Sequence, residues 1–324
     1  MKWDITDDTR GQAFSLDVLL ALVVVVVVIG VSASAVDLVS YKIQDYSSEH
    51  SFERVTGDTA DILIKTPGSP ADWESYDCGD SVTPGLAEVD AETCSTMPNT
   101  LSMGKISKLS SNYENLMGNI LPNGTDSRMA IYPVDTSLPP VVIHNKTHHA
   151  ASEIAVANRT VLCDYRCMTA FVSINCCDPS GDVQAGHGWE ICPHEHERPD
   201  FKTGKPGWIC RQFTVKSQDL NFTDFYVLST SVSAYGSGWI IDSPGDMSSD
   251  KQNFASGPVN VNARISELLG NNTKAFLWFH VDTGDDLKPF DAYVLAVPKG
   301  TPPSKVSKDY LKPQPAFFIL EVWI

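Results

Sequence analysis

The longest apolar run in the chain, residues 18–36 (VLLALVVVVVVIGVSASAV), contains no charged side chain. At ~1.5 Å per residue a helix of this length spans roughly 30 Å, the thickness of a bilayer's hydrocarbon core. Residues 23–28 are all valine. Valine is a mediocre helix former in water, but in lipid the backbone must satisfy its own hydrogen bonds, and helix is enforced. The pattern then changes period. Apolar or small residues recur at Val39, Ile43, Tyr46, Phe52, Val55, Thr59 and Ile62, in steps of three and four that mark one face of an amphipathic helix. The stripe weakens at residues 47–49 and at Gly57, and no proline occurs before Pro67. The expectation is one helix over residues 14–65, half membrane or filament core and half support for a head.

Pro67 and Pro70 break that helix, and residues 73–99 are acidic and rich in turn formers. Leu101, Ile106, Leu109, Tyr113, Leu116 and Ile120 predict a second amphipathic helix, stopped by Pro122. Strand-like segments follow at 128–133, 141–144, 154–162, 168–174, 211–216, 224–230, 275–281, 292–297 and 316–324. A short helix at 261–269, ended by Gly270, interrupts them. The predicted class is α+β: a long N-terminal helix carrying a β-rich head over residues 66–324, of one or two subdomains. The chain ends in AFFILEVWI without a polar tail, so its last strand is expected to be buried, in its own domain ahead of the alternative of a neighbouring subunit.

Charge narrows the function classes. The net charge of −16 repels phosphate backbones, which disfavours nucleic acid as a partner. The eight cysteines, Cys78, Cys94, Cys163, Cys167, Cys176, Cys177, Cys192 and Cys210, all follow the apolar run. An even, clustered set in an exported chain reads as a disulfide framework. Cys78 and Cys94 are expected to pair, and Cys192 is expected to bond Cys210 or another member of the cluster. Five Asn-x-Thr sequons, at Asn123, Asn145, Asn158, Asn221 and Asn271, are glycan acceptors if exported.

The richest chemical stretch is HGWEICPHEHE, residues 187–197. His194 and His196 are weak metal candidates by their spacing, but the zinc-protease pattern fails, because Arg198 stands where its second His would be. Asp242 with Asp246, and Asp282 with Asp285 and Asp286, form acidic turns that do not match a calcium loop. The chain lacks GxSxG, a Walker loop and a dinucleotide fingerprint. It is therefore read as non-enzymatic, with no catalytic residue and no cofactor.

The start of the chain refines this. Arg10-Gly11-Gln12 lies at the edge of the apolar run, with Ser15 and Asp17 just before it. This resembles the leader of archaeal type IV pilins and related pilin-like surface proteins (class III signal peptides), and the resemblance extends over residues 10–74. It implies a leader over residues 1–11, cut by a prepilin peptidase beside Gly11 and Gln12, with the apolar helix retained from residue 12. Asp17 falls sixth in the mature chain if the cut follows Gly11, and fifth if it follows Gln12. In the family such an acidic residue meets the N-terminal amine of a neighbouring subunit and fixes axial register.

The implied function is a structural or adhesive subunit of a pilus-like filament at the cell surface, of minor or adhesin type. Its partners would be the membrane during biogenesis and like subunits through the N-terminal helix. The alternative is a non-polymerising extracellular ligand-binding domain, either membrane-anchored or secreted after a cut at the small-residue site Ala33-Ser34-Ala35.

Overall fold

The computed structural model describes residues 9–76, 82–90, 93–118, 120–147, 151, 153–174, 192, 197, 199–200, 203–229, 236–244, 250–284 and 288–324, with the side chains of 9–17 and 41–50 outside the description. The elements in chain order are α1 (Thr9–Lys65), β1 (Gly68–Ser69), β2 (Thr83–Pro84), β3 (Ala87–Val89), β4 (Thr96–Ser102), α2 (Met103–Ser111), α3 (Tyr113–Met117), β5 (Asp126–Pro133), β6 (Val141–Asn145) and β7 (Ile154–Asp164). They continue with β8 (Ala170–Ile174), β9 (Trp208–Lys216), β10 (Thr223–Ser229), β11 (Gly238–Asp242), β12 (Gln252–Asn253), β13 (Val259–Asn260), α4 (Asn262–Leu269), β14 (Lys274–Asp282), β15 (Phe290–Pro298) and β16 (Gln314–Trp323). The class is α+β, an N-terminal apolar helix and a β-rich body.

Two compact units divide the chain, residues Met1–Val55 and Thr56–Ile324, so the boundary falls inside α1. The first unit is helical throughout its described residues and contains the apolar segment Val18–Ser40, none of it buried. Its 23 residues would span about 35 Å as a helix, enough to cross a bilayer with some tilt. The helix begins at Thr9, five residues before the start that the sequence pattern suggests.

The second unit opens with the last turns of α1. Thr56, Thr59, Ala60, Leu63 and Ile64 are buried there, whereas Ile62 is 45% exposed. The buried face is thus rotated from the stripe read in the sequence, because Leu63 and Ile64 displace Ile62 from the core. Full burial of one such side chain is worth ~1.5–3 kcal/mol. Arg159 Nε donates to Asp61 Oδ1 at 2.7 Å. Arg159 shares one face of β7 with the buried Ala155, Ala157 and Val161, so this helix end lies over that face of the strand.

That strand belongs to a six-stranded sheet of order β3-β4-β7-β16-β5-β6. All neighbours are antiparallel except β4 and β7. The apolar C-terminal strand β16 sits between β7 and β5, with Ala316, Phe318, Leu320 and Val322 buried. The strand is therefore buried on one face within its own sheet, while Phe317 on the other face and Ile324 after it stay 40% and 55% exposed.

The turn after α1 is tightly built. Gly68 has φ +89°, and a Cβ there would come within 2.6 Å of Trp73 Cδ1; only glycine meets both demands without strain. Trp73 is fully buried and its indole donates to the Gly85 carbonyl at 2.9 Å. Leu86 N and Ala87 N donate to the carbonyls of Leu63 and Thr66, which closes the exit of the helix. Lys105, 2% exposed on α2, donates to the carbonyls of Pro67 and Ala87, each at 2.9 Å. The second helix of the sequence reading is in fact β4 followed by α2 and α3, broken at Asn112. Leu101 belongs to the strand, where Thr100, Leu101 and Ser102 pair with β7.

Two four-stranded sheets complete the unit, β13-β10-β15-β8 and β12-β11-β14-β9. Helix α4 touches β10 of the first and β9, β11 and β14 of the second, burying Ile265 and Leu269. The side chain of Asn262 ties it down, accepting from Phe225 N at 2.7 Å and donating to Asp224 Oδ1 at 2.6 Å. All nine sequence-read strands are present with shifted ends. Strand β11 was missed: GWIID is short and its five residues are all buried, so it shows no alternation.

Candidate functional site

Two features of the chain invite a functional reading. The first is α1. Gly11, Gln12 and Asp17 lie in its first turns, but their side chains fall outside the described residues. Within Val18–Ser40 the apolar side chains are exposed, Val31 at 66% and Leu19 at 64%. A soluble monomer rarely presents so long an apolar rod to water. Gly30 has no atom within 4 Å of an added Cβ, and it lies in a stretch of small residues, GVSASA, that permits close helix–helix approach.

The second is a cysteine–histidine cluster in the head. His280 lies on β14, directly opposite Cys210 on β9 and Ile240 on β11. Pairing on both sides fixes its backbone, and the side chain is fully buried. The Trp278 ring lies alongside, with centroids 6.4 Å apart and planes inclined by 23°. Cys192 comes from the chain before β9. His280 Nδ1 is 2.8 Å from Cys210 Sγ and 3.8 Å from Cys192 Sγ. The two sulfurs are 3.9 Å apart, almost twice the ~2.05 Å of a disulfide. The pair expected to bond is brought together without a bond. All three ligand atoms lie within 4.8 Å of one another.

The other predicted residues scatter. Cys94 and Cys167 are exposed, Cys163 is buried, and none of the three forms a disulfide, so the expected Cys78–Cys94 pair is not made. Burial pushes the Cys163 thiol up to about 12, which leaves it protonated and inert. Cys78, Cys176, Cys177, His194 and His196 lie outside the described residues. All five sequon asparagines, Asn123, Asn145, Asn158, Asn221 and Asn271, are exposed. The acidic turns are occupied by ion pairs: Asp242 with Arg264 at 2.6 Å and Asp282 with Lys251 at 2.8 Å. Asp246, Asp285 and Asp286 lie outside the described residues.

A small open cleft is lined by Tyr113, Glu114, His144 and Lys146 among others, with a volume near 140 Å³. That is below the ~300–1,000 Å³ of ordinary ligand sites. Its histidine stacks on Tyr113 with centroids 3.9 Å apart and is held below its usual pKa by burial. The Tyr113 hydroxyl shares a 2.8 Å hydrogen bond with Ser127.

Comparison with family models, with curated proteins and with solved structures gives no match. The functional reading therefore stands on the chain's own residues.

His280 is the residue that sequence reasoning missed. It stands inside AFLWFHV, an apolar run read only as a strand. The available signal was the imidazole itself, a polar ring on the same face as Phe276 and Trp278 and requiring a partner when buried.

Proposed function

We propose that the chain is a cell-surface subunit of a pilus-like filament, of minor or adhesin type and without enzymatic activity. It would be held through its N-terminal helix and present its β-rich head outside the cell. The observation that carries this reading is the helix α1 itself. One unbroken helix contains both the fully exposed apolar segment Val18–Ser40 and the buried turns that begin the head at Thr56. Burial of the apolar part then falls to something other than this chain, either lipid before assembly or like helices after it.

Lipid tails are as apolar as leucine. Helices in such a core associate by van der Waals packing at small residues such as Gly30, Ser32 and Ala33, and not by a hydrophobic gain. An ionised Asp17 at the head of the apolar run is costly unless paired; the N-terminal amine of a neighbour, freed by cleavage beside Gly11 and Gln12, would be its partner. Exposure of all five sequons suits a glycan-coated exterior. One disulfide among the three cysteines outside the description belongs to the same reading, since an exported head meets an oxidising environment.

Electron microscopy of surface preparations with a label on the head tests the proposal. Labelled filaments that disappear in Asp17→Ala, with the subunit still present in the membrane, are the expected result. Dispersed label with no filament in the wild type would instead favour the anchored, non-polymerising ligand-binding domain.

A further inference from the structure

We propose that Cys192, Cys210 and His280 form a zinc site that staples the segment before β9 to the sheet of β9 and β14. The inference is independent of the filament reading. Two thiolates on one tetrahedral zinc, each about 2.3 Å from the metal, stand about 3.8 Å apart. The observed separation is 3.9 Å. For a thiolate and an imidazole nitrogen the same geometry gives about 3.5 Å, and the two observed distances, 2.8 and 3.8 Å, bracket it. The two separations from Cys192 Sγ thus fit one tetrahedron as they stand, and Cys210 Sγ has to move about 0.7 Å away from His280 Nδ1 to complete the fit.

The donor set selects the ion. Two sulfurs and one imidazole suit zinc and other borderline-soft cations, whereas calcium and magnesium require oxygen. The placement suits a structural role. Cys210 and His280 are cross-strand partners, so their geometry is set by the β-ladder before any ion arrives. Both cysteines are only partly buried, which leaves an entry path. A tetrahedral structural site takes one further ligand besides these three. Binding replaces the thiol protons by the metal and releases them to solvent. A zinc-bound pair is also withheld from disulfide formation.

The test uses the full chain, extracted in detergent without chelators. Metal analysis is expected to find one zinc per chain bound at this site. Cys192 and Cys210 should resist alkylation until a chelator is added and then react together. Cobalt substitution should produce sulfur-to-cobalt charge-transfer absorbance. Cys192→Ser should abolish both the zinc and that absorbance while the circular dichroism of the head persists. His280→Gln should do the same, but its buried position also endangers folding, so Cys192→Ser decides. A peptide map showing Cys192 disulfide-bonded to Cys210 would overturn the proposal. So would alkylation indifferent to chelator in a protein that carries no zinc.

Discussion

Lys105 is the most informative single position in the head's scaffold. Its ammonium is 2% exposed and caps two main-chain carbonyls, Pro67 at the exit of α1 and Ala87 on β3, each at 2.9 Å. Lys105→Met keeps the length of the side chain and removes the donor. Orphaning a buried acceptor costs ~1–3 kcal/mol, so two cost ~2–6 kcal/mol. Relief from desolvating the ammonium returns part of that, leaving a net loss of about 2–4 kcal/mol. For a unit of this size each kcal/mol moves Tm by roughly 2–3 °C, so thermal unfolding of the detergent-solubilised chain should fall by about 4–12 °C.

The pH dependence supplies a second reading. Burial holds the Lys105 pKa below its ordinary value. The unfolded chain therefore binds more protons between that lowered value and ~10.4, and stability rises with pH across this window. Lys105→Met should remove that rise. An unchanged Tm with an unchanged alkaline slope would refute the assignment of Lys105 as the clamp between α1 and β3.

Further outcomes follow from the six-stranded sheet. Its outer face is unusually apolar, with Val156 59%, Leu162 41% and Phe317 40% exposed, and Asn158 stands opposite Ile319 in its middle. A glycan there would cover this face, so Asn158→Gln should increase self-association of the head in analytical ultracentrifugation with little change in Tm. Asp61 is held below the usual carboxylate range, first by its hydrogen bond from Arg159 and then by Lys65. Its contribution is complete above the unfolded value near 3.9 and is lost as pH falls through the lower folded value. With Asp61 32% and Arg159 36% exposed, solvent screens the pair to under about 1 kcal/mol. Asp61→Asn should therefore lower neutral stability by under about 1 kcal/mol, a difference from wild type that disappears as pH falls below the folded value.

Periodicity carried most of the architecture. The run without proline before Pro67 foretold one helix, and the alternating apolar segments foretold nine strands. The C-terminal strand was legible as a core strand from AFFILEVWI, although only the face of Ala316, Phe318, Leu320 and Val322 is buried and Phe317 is 40% exposed on the other. What failed did so for tertiary reasons. Leu101 fits a helical stripe, yet strand pairing with β7 claims it. Ile62 fits another, yet Leu63 and Ile64 take the core. The cysteine–histidine cluster could not be read because its members are 88 and 70 residues apart in sequence, and only the β9–β14 register joins Cys210 to His280. Local spacing pointed instead to His194 and His196.

A filament subunit of this kind needs the apolar rod to remain in the finished protein. The N-terminal residue of the chain recovered from the cell surface, determined by Edman sequencing or by terminal peptide mass, tests this most directly. A start at Gln12 or Ala13, with residues 18–36 intact, is the predicted result. A start at Val36 would contradict it, because the helix would then have been discarded as a secretion signal.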